Sequence, residues 1–405
     1  MQNILFIEMG SGNGGSSSYL YSFLKNMGRN EFKPIVLFYQ DTGASKISDI
    51  QALGITVKFL KQREAGAGNT RPVIVKNSFD KLIVRGKFVL KVIGEYLPQA
   101  FRICYLINSE KIKIMLISSD VINTGNIPPL LAAQFTGIFL VVRKSGQGTI
   151  VNASRIQRFF SNYVDLFIAS SNSEADFHKE QGLPFKKMVT LYEGIDLDDY
   201  QPSGNNLKIR DEFKIPPEQF VACSVSRFSA GKGHIDFLKA ANLVVKQSPQ
   251  AMFLIVGGAV NPEAKSIEKQ LKEETQRLGL EKNVIFTGWR ADITDILRAS
   301  DIFVHCPNEW REAMGIATLE AMACGKPTVV TKNSGLAETT LDNVSGFVVA
   351  PGDYKMIAEK IILLAQNTPK RLEMGKNARG RAEQLFDIRR NVRETETLLK
   401  DIARH

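Results

Sequence analysis

Glu312-Ala-Met-Gly-Ile-Ala-Thr-Leu-Glu320-Ala-Met-Ala-Cys-Gly-Lys-Pro327 runs straight into Thr328-Val-Val-Thr331. The stretch 316–324 is apolar on most sides, Gly325 stands where a helix stops, and Pro327 blocks its resumption. The following Thr-Val-Val-Thr reads as a buried strand. A short apolar helix feeding a buried strand is one unit of a parallel α/β sheet. A core helix has no need of a carboxylate, and burying an unpaired one is costly. Glu312 falls on the loop above the helix and Glu320 about two turns below. A carboxylate suits sugar hydroxyls, because it accepts two hydrogen bonds in fixed geometry. Taken alone, the pair fits equally well with Glu320 in a buried ion pair and Glu312 as a solvated loop residue.

The same alternation extends in both directions. Strands are expected at 4–7, 34–38, 56–59, 114–118, 139–142, 166–169 and 189–191, then at 221–225, 253–256, 284–286, 302–305, 328–331 and 347–349. Residues 198–217, rich in Asp, Asn, Gly and Pro, show no hydrophobic period and read as a linker. At 405 residues the chain exceeds one ordinary core. The reading is an α/β protein of two doubly wound domains, 1–198 and 199–386, facing across a cleft, with a helix near 387–405 packing back on the first.

Composition narrows the chemistry. The apolar fraction of 44% marks a globular chain. Cys104, Cys223, Cys306 and Cys324 lie far apart with no CxxC spacing, so they read as reduced thiols of a cytoplasmic protein. The four histidines, His178, His234, His305 and His405, show no metal-ligand spacing, which argues against a zinc site. The first residues have no basic n-region, and the longest apolar stretch, 127–142, is interrupted by Pro128-Pro129 and Thr136-Gly137. The net charge is +10 and unevenly placed, with eleven Lys or Arg against four acids over 61–113. That local excess points to an anionic partner. On a helical wheel 79–97 sets Lys81, Arg85, Lys87 and Lys91 opposite an apolar face, with Val84, Phe88 and Val92 among them. Such interleaving suits an anionic membrane surface. A solvated amphipathic helix is the plainer alternative, and no nucleic-acid-binding module accompanies the charge.

Two glycine turns follow first strands. Gly10-Ser-Gly-Asn-Gly14-Gly15 matches G-x-G-x-x-G, so NAD(P) binding has to be weighed. The second strand, however, ends Leu37-Phe-Tyr-Gln40, without the acidic residue that a dinucleotide ribose needs. A loop that lets backbone approach a ligand across the cleft is the alternative. The turn Ser226-Arg227-Phe-Ser-Ala-Gly231-Lys232-Gly233-His234 puts two cations at the carboxyl end of a strand. Arg227 can fork onto two phosphate oxygens, and Lys232 adds a mobile point charge.

Together, Ser226-Arg227-Phe228, Lys232-Gly233, Val256-Gly257-Gly258, Thr287-Gly288 and the Glu312-x₇-Glu320 stretch resemble the nucleotide-sugar domain of the glycosyltransferase group 1 family. The first half resembles its acceptor domain through the Gly14-Gly15 loop, Ala169-Ser-Ser171 and Glu193-Gly-Ile-Asp196. The resemblance implies the GT-B fold and a retaining, metal-independent hexosyltransferase needing no cofactor. It places Arg227 and Lys232 on the donor diphosphate, Glu312 on the transferred sugar and Glu320 on the ribose. Ala313, Met314, Gly315 and Ile316 would offer backbone N–H groups to the donor, with Gly258, Arg290 and Gly15 also on the donor side. Gly14, Arg143, Lys144 and Ser145 would face the acceptor, a glycan or lipid-linked molecule of cell-envelope polysaccharide or lipopolysaccharide assembly. The setting implied is the cytoplasm, peripheral to the inner face of the membrane. Three departures stand out: Arg143-Lys-Ser145 where relatives place a histidine, Glu193 where Asn is usual, and Met314 where an aromatic is usual. A non-catalytic nucleotide-sugar-binding protein on the same scaffold stays open as an alternative.

Overall fold

The computed structural model describes residues 1–8, 15–61, 90–118, 126–143, 155–202, 207–258, 262–309, 312–332 and 335–403. The strands are β1 (Gln2–Glu8), β2 (Phe32–Gln40), β3 (Thr56–Lys61), β4 (Ile114–Ile117), β5 (Phe139–Arg143), β6 (Leu166–Ala169) and β7 (Met188–Thr190) in the first half. In the second half they are β8 (Val221–Val225), β9 (Met252–Val256), β10 (Val284–Gly288), β11 (Ile302–His305), β12 (Thr328–Thr331) and β13 (Gly346–Val349). They form two sheets, ordered β3-β2-β1-β4-β5-β6-β7 and β10-β9-β8-β11-β12-β13, with every described pairing parallel. Each sheet carries helices on both faces, and the alternation of side chains shows it. Ile4 and Phe6 enter one core with Leu20 and Phe23, while Leu5 and Ile7 enter the opposite core with Ile103 and Leu140.

In each sheet the direction of winding reverses once, between β1 and β4 and between β8 and β11. Ligands of open α/β sheets bind in the crevice at that reversal, beyond the carboxyl ends of the strands. In the second sheet the crevice lies between the turn after β8 and the loop after β11, where the two sequence motifs meet. In the first, most of the turns after β1, β4 and β5 lies outside the described residues, as does most of the basic segment, 62–89.

The expected linker is only partly one. Helix Leu207–Glu212 lies within it, with Ile209 and Arg210 buried. The reason is polar: Arg210 donates to the carbonyls of Ala299, Pro216 and Gln219 at 2.7–3.0 Å and pairs with Asp301. A buried arginine organising loop carbonyls leaves no apolar periodicity to read.

The chain passes between the sheets twice, through 191–202 and again after Phe386. Ile195 pairs with Asp387 as an isolated parallel bridge. Helix Ile388–Ala403 then returns to the first sheet, where Ile388, Val392 and Leu399 join the core of β1 and helix Gly15–Asn26. Lys25 of that helix pairs with Asp196 of the crossing at 2.7 Å.

Candidate active site

Between β8 and helix His234–Gln247 the chain turns at Gly233, with φ +80°. A Cβ at Gly233 would lie 1.9 Å from the Cys306 carbonyl oxygen. Only glycine permits both the left-handed backbone and the contact. The turn is thereby pressed onto the chain leaving β11. Arg227 is exposed and makes no ion pair among the described residues. Lys232 is 9% exposed, and its ammonium donates to Glu312 Oε1. His305, at the end of β11, reaches the same oxygen at 3.4 Å. The structure thus joins two residues that were expected on different parts of the donor.

Burial pulls the Glu312 carboxyl upward, but the His305 hydrogen bond and the Lys232 charge prevail and hold it at about 2. Glu312 is therefore a charged acceptor at neutral pH, with no proton to donate. His234 is lowered too, but by burial, with His305 and Lys232 nearby, to about 4. It is neutral at pH 7, and its Nε2 meets Ser226 Oγ at 3.2 Å.

Ala313 and Met314 are buried, and Gly315 (φ +70°) opens helix Ile316–Ala323. A Cβ on Gly315 would come within 2.5 Å of Leu336 Cδ2. Met314 packs with Ile195, Leu197, Leu319 and Phe386, so its side chain fills the junction of the two crossings. Glu320, on that helix, accepts from the Tyr200 hydroxyl at 2.6 Å. Burial raises its carboxyl and Tyr200 opposes the shift. Gly258 follows β9 and lies against Trp289, where a Cβ would lie 2.9 Å from that of Trp289. The Arg290 guanidinium grips Asp292 and Glu212 at 2.7–2.9 Å. Its side chain braces the loop, leaving backbone and Trp289 as the exposed features there.

On the opposite wall, Gly15 opens helix Gly15–Asn26. Gly14, Lys144 and Ser145 lie outside the described residues. Arg143 is buried beneath helix Ile388–Ala403: its guanidinium lies 4.6 Å from the Tyr19 ring centroid and donates to Thr395 Oγ1 at 3.2 Å. Tyr19 in turn donates to Asn391 at 2.6 Å. Glu193 is 2% exposed, and its Oε1 has no hydrogen-bond partner among the described residues. Burial lifts its carboxyl to about 8; Arg143 opposes this, and Glu174 and Glu312 add to it. His305, Tyr200 and Glu193 take part in this constellation without having been assigned a role from sequence. Their partners are set by the fold, and only the position of His305 at a strand's carboxyl end pointed to a cleft.

Residues 205–381 match the model of the family described as Glycosyl transferases group 1. The chain is 27% identical over 221 residues to a UDP-Gal:alpha-D-GlcNAc-diphosphoundecaprenol alpha-1,3-galactosyltransferase of Escherichia coli, covering 54% of this chain and 55% of that protein. It is 27% identical over 250 residues to the lipopolysaccharide core biosynthesis mannosyltransferase LpsB of Rhizobium meliloti, covering 61% and 68%. The match thus spans between about half and two thirds of these relatives' length. Across the whole chain the fold is that of Anabaena HepE in complex with UDP-glucose, with a TM-score of 0.81 at 22% identity, covering 99% of this chain and 100% of that one. A glycosyltransferase from Rickettsia africae superposes with a TM-score of 0.79 at 20% identity, covering 99% and 98%. Residues 205–381 thus match the glycosyl transferases group 1 family, within a chain whose two parallel α/β sheets have the GT-B fold.

Proposed function

We propose that this protein is a metal-independent, retaining glycosyltransferase acting on a nucleoside diphosphate sugar, with a glycan or lipid-linked acceptor. The observation that carries the reading is the Lys232–Glu312 pair beside exposed Arg227, at the point where the second sheet reverses its winding. Arg227 and Lys232 supply the positive charge that a diphosphate leaving group needs as it departs. Glu312, held ionised, accepts hydrogen bonds from the sugar, and Glu320 serves the ribose. In the transfer, the bond from the anomeric carbon to the diphosphate oxygen breaks. The acceptor oxygen bonds to that carbon from the same face, and its proton passes to the leaving phosphate. No protein base is required, which suits a site whose carboxylate is already partnered by the Lys232 ammonium.

The acceptor class draws on the relatives, two of which are named for a diphosphoundecaprenol substrate and for lipopolysaccharide core biosynthesis. Cell-envelope glycan assembly at the cytoplasmic face is the setting we propose. Among the described residues no helix is long and apolar enough to cross a membrane. A peripheral contact is favoured by one surface: Leu90, Ile93, Phe101 and Tyr105 follow at helical spacing, all more than half exposed, and Phe101 stacks on exposed Phe135. Lys91 lies at the head of that stripe, where the basic segment joins it.

The test is a panel of nucleotide sugars screened for binding and turnover, with Glu312→Gln as control. The variant should keep nucleotide binding and lose transfer by roughly 100-fold or more, the scale seen when one electrostatic contact to a transition state is removed. Near-normal turnover would remove Glu312 from the site. Binding without turnover in the parent protein would select the non-catalytic reading.

A further inference from the structure

One carboxylate ties the two halves together next to the Glu312 loop. Helix Leu336–Thr339 begins after Gly335, whose N–H donates to the Glu312 carbonyl at 2.9 Å. From that helix Glu338 reaches across to the first domain. Its Oε1 accepts from the Ser173 N–H at 2.7 Å, and its Oε2 accepts from the Asn172 N–H at 2.9 Å and the Tyr192 hydroxyl at 3.1 Å. Those amides form the first turn of helix Asn172–Glu180, where N–H groups have no acceptor within the helix. A carboxylate there gains charge-assisted hydrogen bonds and a favourable helix dipole. The helix has its own cap as well, since Ser171 Oγ accepts from Glu174 N–H at 3.1 Å. The Glu338 contact is therefore not needed to start the helix; it joins two domains. Behind it, Arg381 donates to the carbonyls of Glu338 and Thr339 at 2.8 and 2.7 Å. Held at the rear by Arg381 and at the front by the first domain, this short helix carries the hydrogen bond that positions the Glu312 backbone.

We propose that Glu338 is a positioning residue for transfer: it couples the approach of the two domains to the placement of the Glu312 loop while touching neither donor nor acceptor. The inference rests on the glycosyltransferase reading above. When the domains part, the carboxylate loses two amides and a hydroxyl, and the helix that holds Gly335 loses its forward anchor. Donor binding draws mainly on the second domain, which carries Arg227, Lys232, Glu312 and Glu320, whereas reaction needs both walls of the cleft. Loss of Glu338 therefore acts on turnover more than on donor affinity.

Glu338→Ala and Glu338→Gln are made in the full chain, and steady-state kinetics are measured with the donor and acceptor that the panel identifies. For Glu338→Ala, kcat should fall about 10- to 100-fold with donor KM within about threefold, the scale of a lost charge-assisted contact that biases a two-state equilibrium. Glu338→Gln keeps a carbonyl acceptor without the charge and should recover part of kcat. A merely structural residue would instead move both constants together, with the melting temperature. In parallel, spin labels at Lys179→Cys and Leu372→Cys, in a Cys104→Ser background, report the interdomain distance without substrate. Glu338→Ala should broaden that distribution, and Glu338→Gln should broaden it less. Unchanged kcat in both variants overturns the coupling, and an unchanged distance distribution overturns the latch. Should the parent turn over no nucleotide sugar, the proposed activity fails, while the distance measurement still decides whether Glu338 holds the domains together.

Discussion

Glu193 stands almost wholly out of water, one residue past Tyr192, whose carbonyl accepts from Asn391. Burial, helped by the Glu174 and Glu312 charges, outweighs the opposing Arg143, so its carboxyl is lifted to about 8. The consequence for stability has a definite sign. Between its ordinary value of 4.5 and about 8, the folded protein keeps a proton that the unfolded chain has released. Stability therefore falls as pH rises through that window, by at most about 1.4 kcal/mol per pH unit. Glu193→Gln, neutral throughout, should flatten this slope. Melting temperatures from pH 5.5 to 9 check it, and parallel declines in parent and variant would assign the loss to other groups. At this scale legibility followed sequence distance. Arg227, Lys232, Glu312 and Glu320 stood out because each lies in a short stretch with its own logic. Tyr200, His305 and Glu338 did not, because each acts on a partner that only the fold brings near.

Elements were the most legible level. Every described strand lies where an apolar, β-branched run placed it, because a strand buried on both faces leaves a local mark. Helix Leu207–Glu212 left none: what holds it is Arg210 among backbone carbonyls, and a polar run reads the same whether solvated or organised. The turn before helix His234–Gln247 shows how much a single position fixes. Gly233→Ala would set a side chain in left-handed backbone and drive it into the Cys306 carbonyl. The backbone term alone costs about 1–3 kcal/mol. The variant should melt lower and bind nucleotide more weakly, because Lys232 is displaced from Glu312. Thermal unfolding and a nucleotide titration measure both; unchanged affinity would show that the turn does not shape the site.

As a whole, the molecule was legible as two α/β halves with a cleft, and less so at the joint between them. No local pattern announces that Glu338 of the second half caps a helix of the first. The membrane reading belongs to this scale, since it needs the basic segment and the exposed stripe on one body. Charge reversal at Lys81, Arg85, Lys87 and Lys91 should release the protein from anionic vesicles, each basic residue near such a surface contributing about 1 kcal/mol. Flotation with anionic and neutral vesicles distinguishes the sources, with Phe101→Ser and Phe135→Ser probing the apolar part. Equal binding after charge reversal would sink the idea. The return of helix Ile388–Ala403 to the first core has a consequence for how the chain is made. During synthesis, domains form in the order in which they leave the ribosome. Here the first sheet emerges early, yet the core on one of its faces lacks Ile388, Val392 and Leu399 until helix Ile388–Ala403 is out. The second sheet, begun later, has all its strands by Val349. The half that is translated first is thus the half that is completed last, and until then its uncovered flank around Leu20 and Phe23 is the part of the nascent chain in most need of protection.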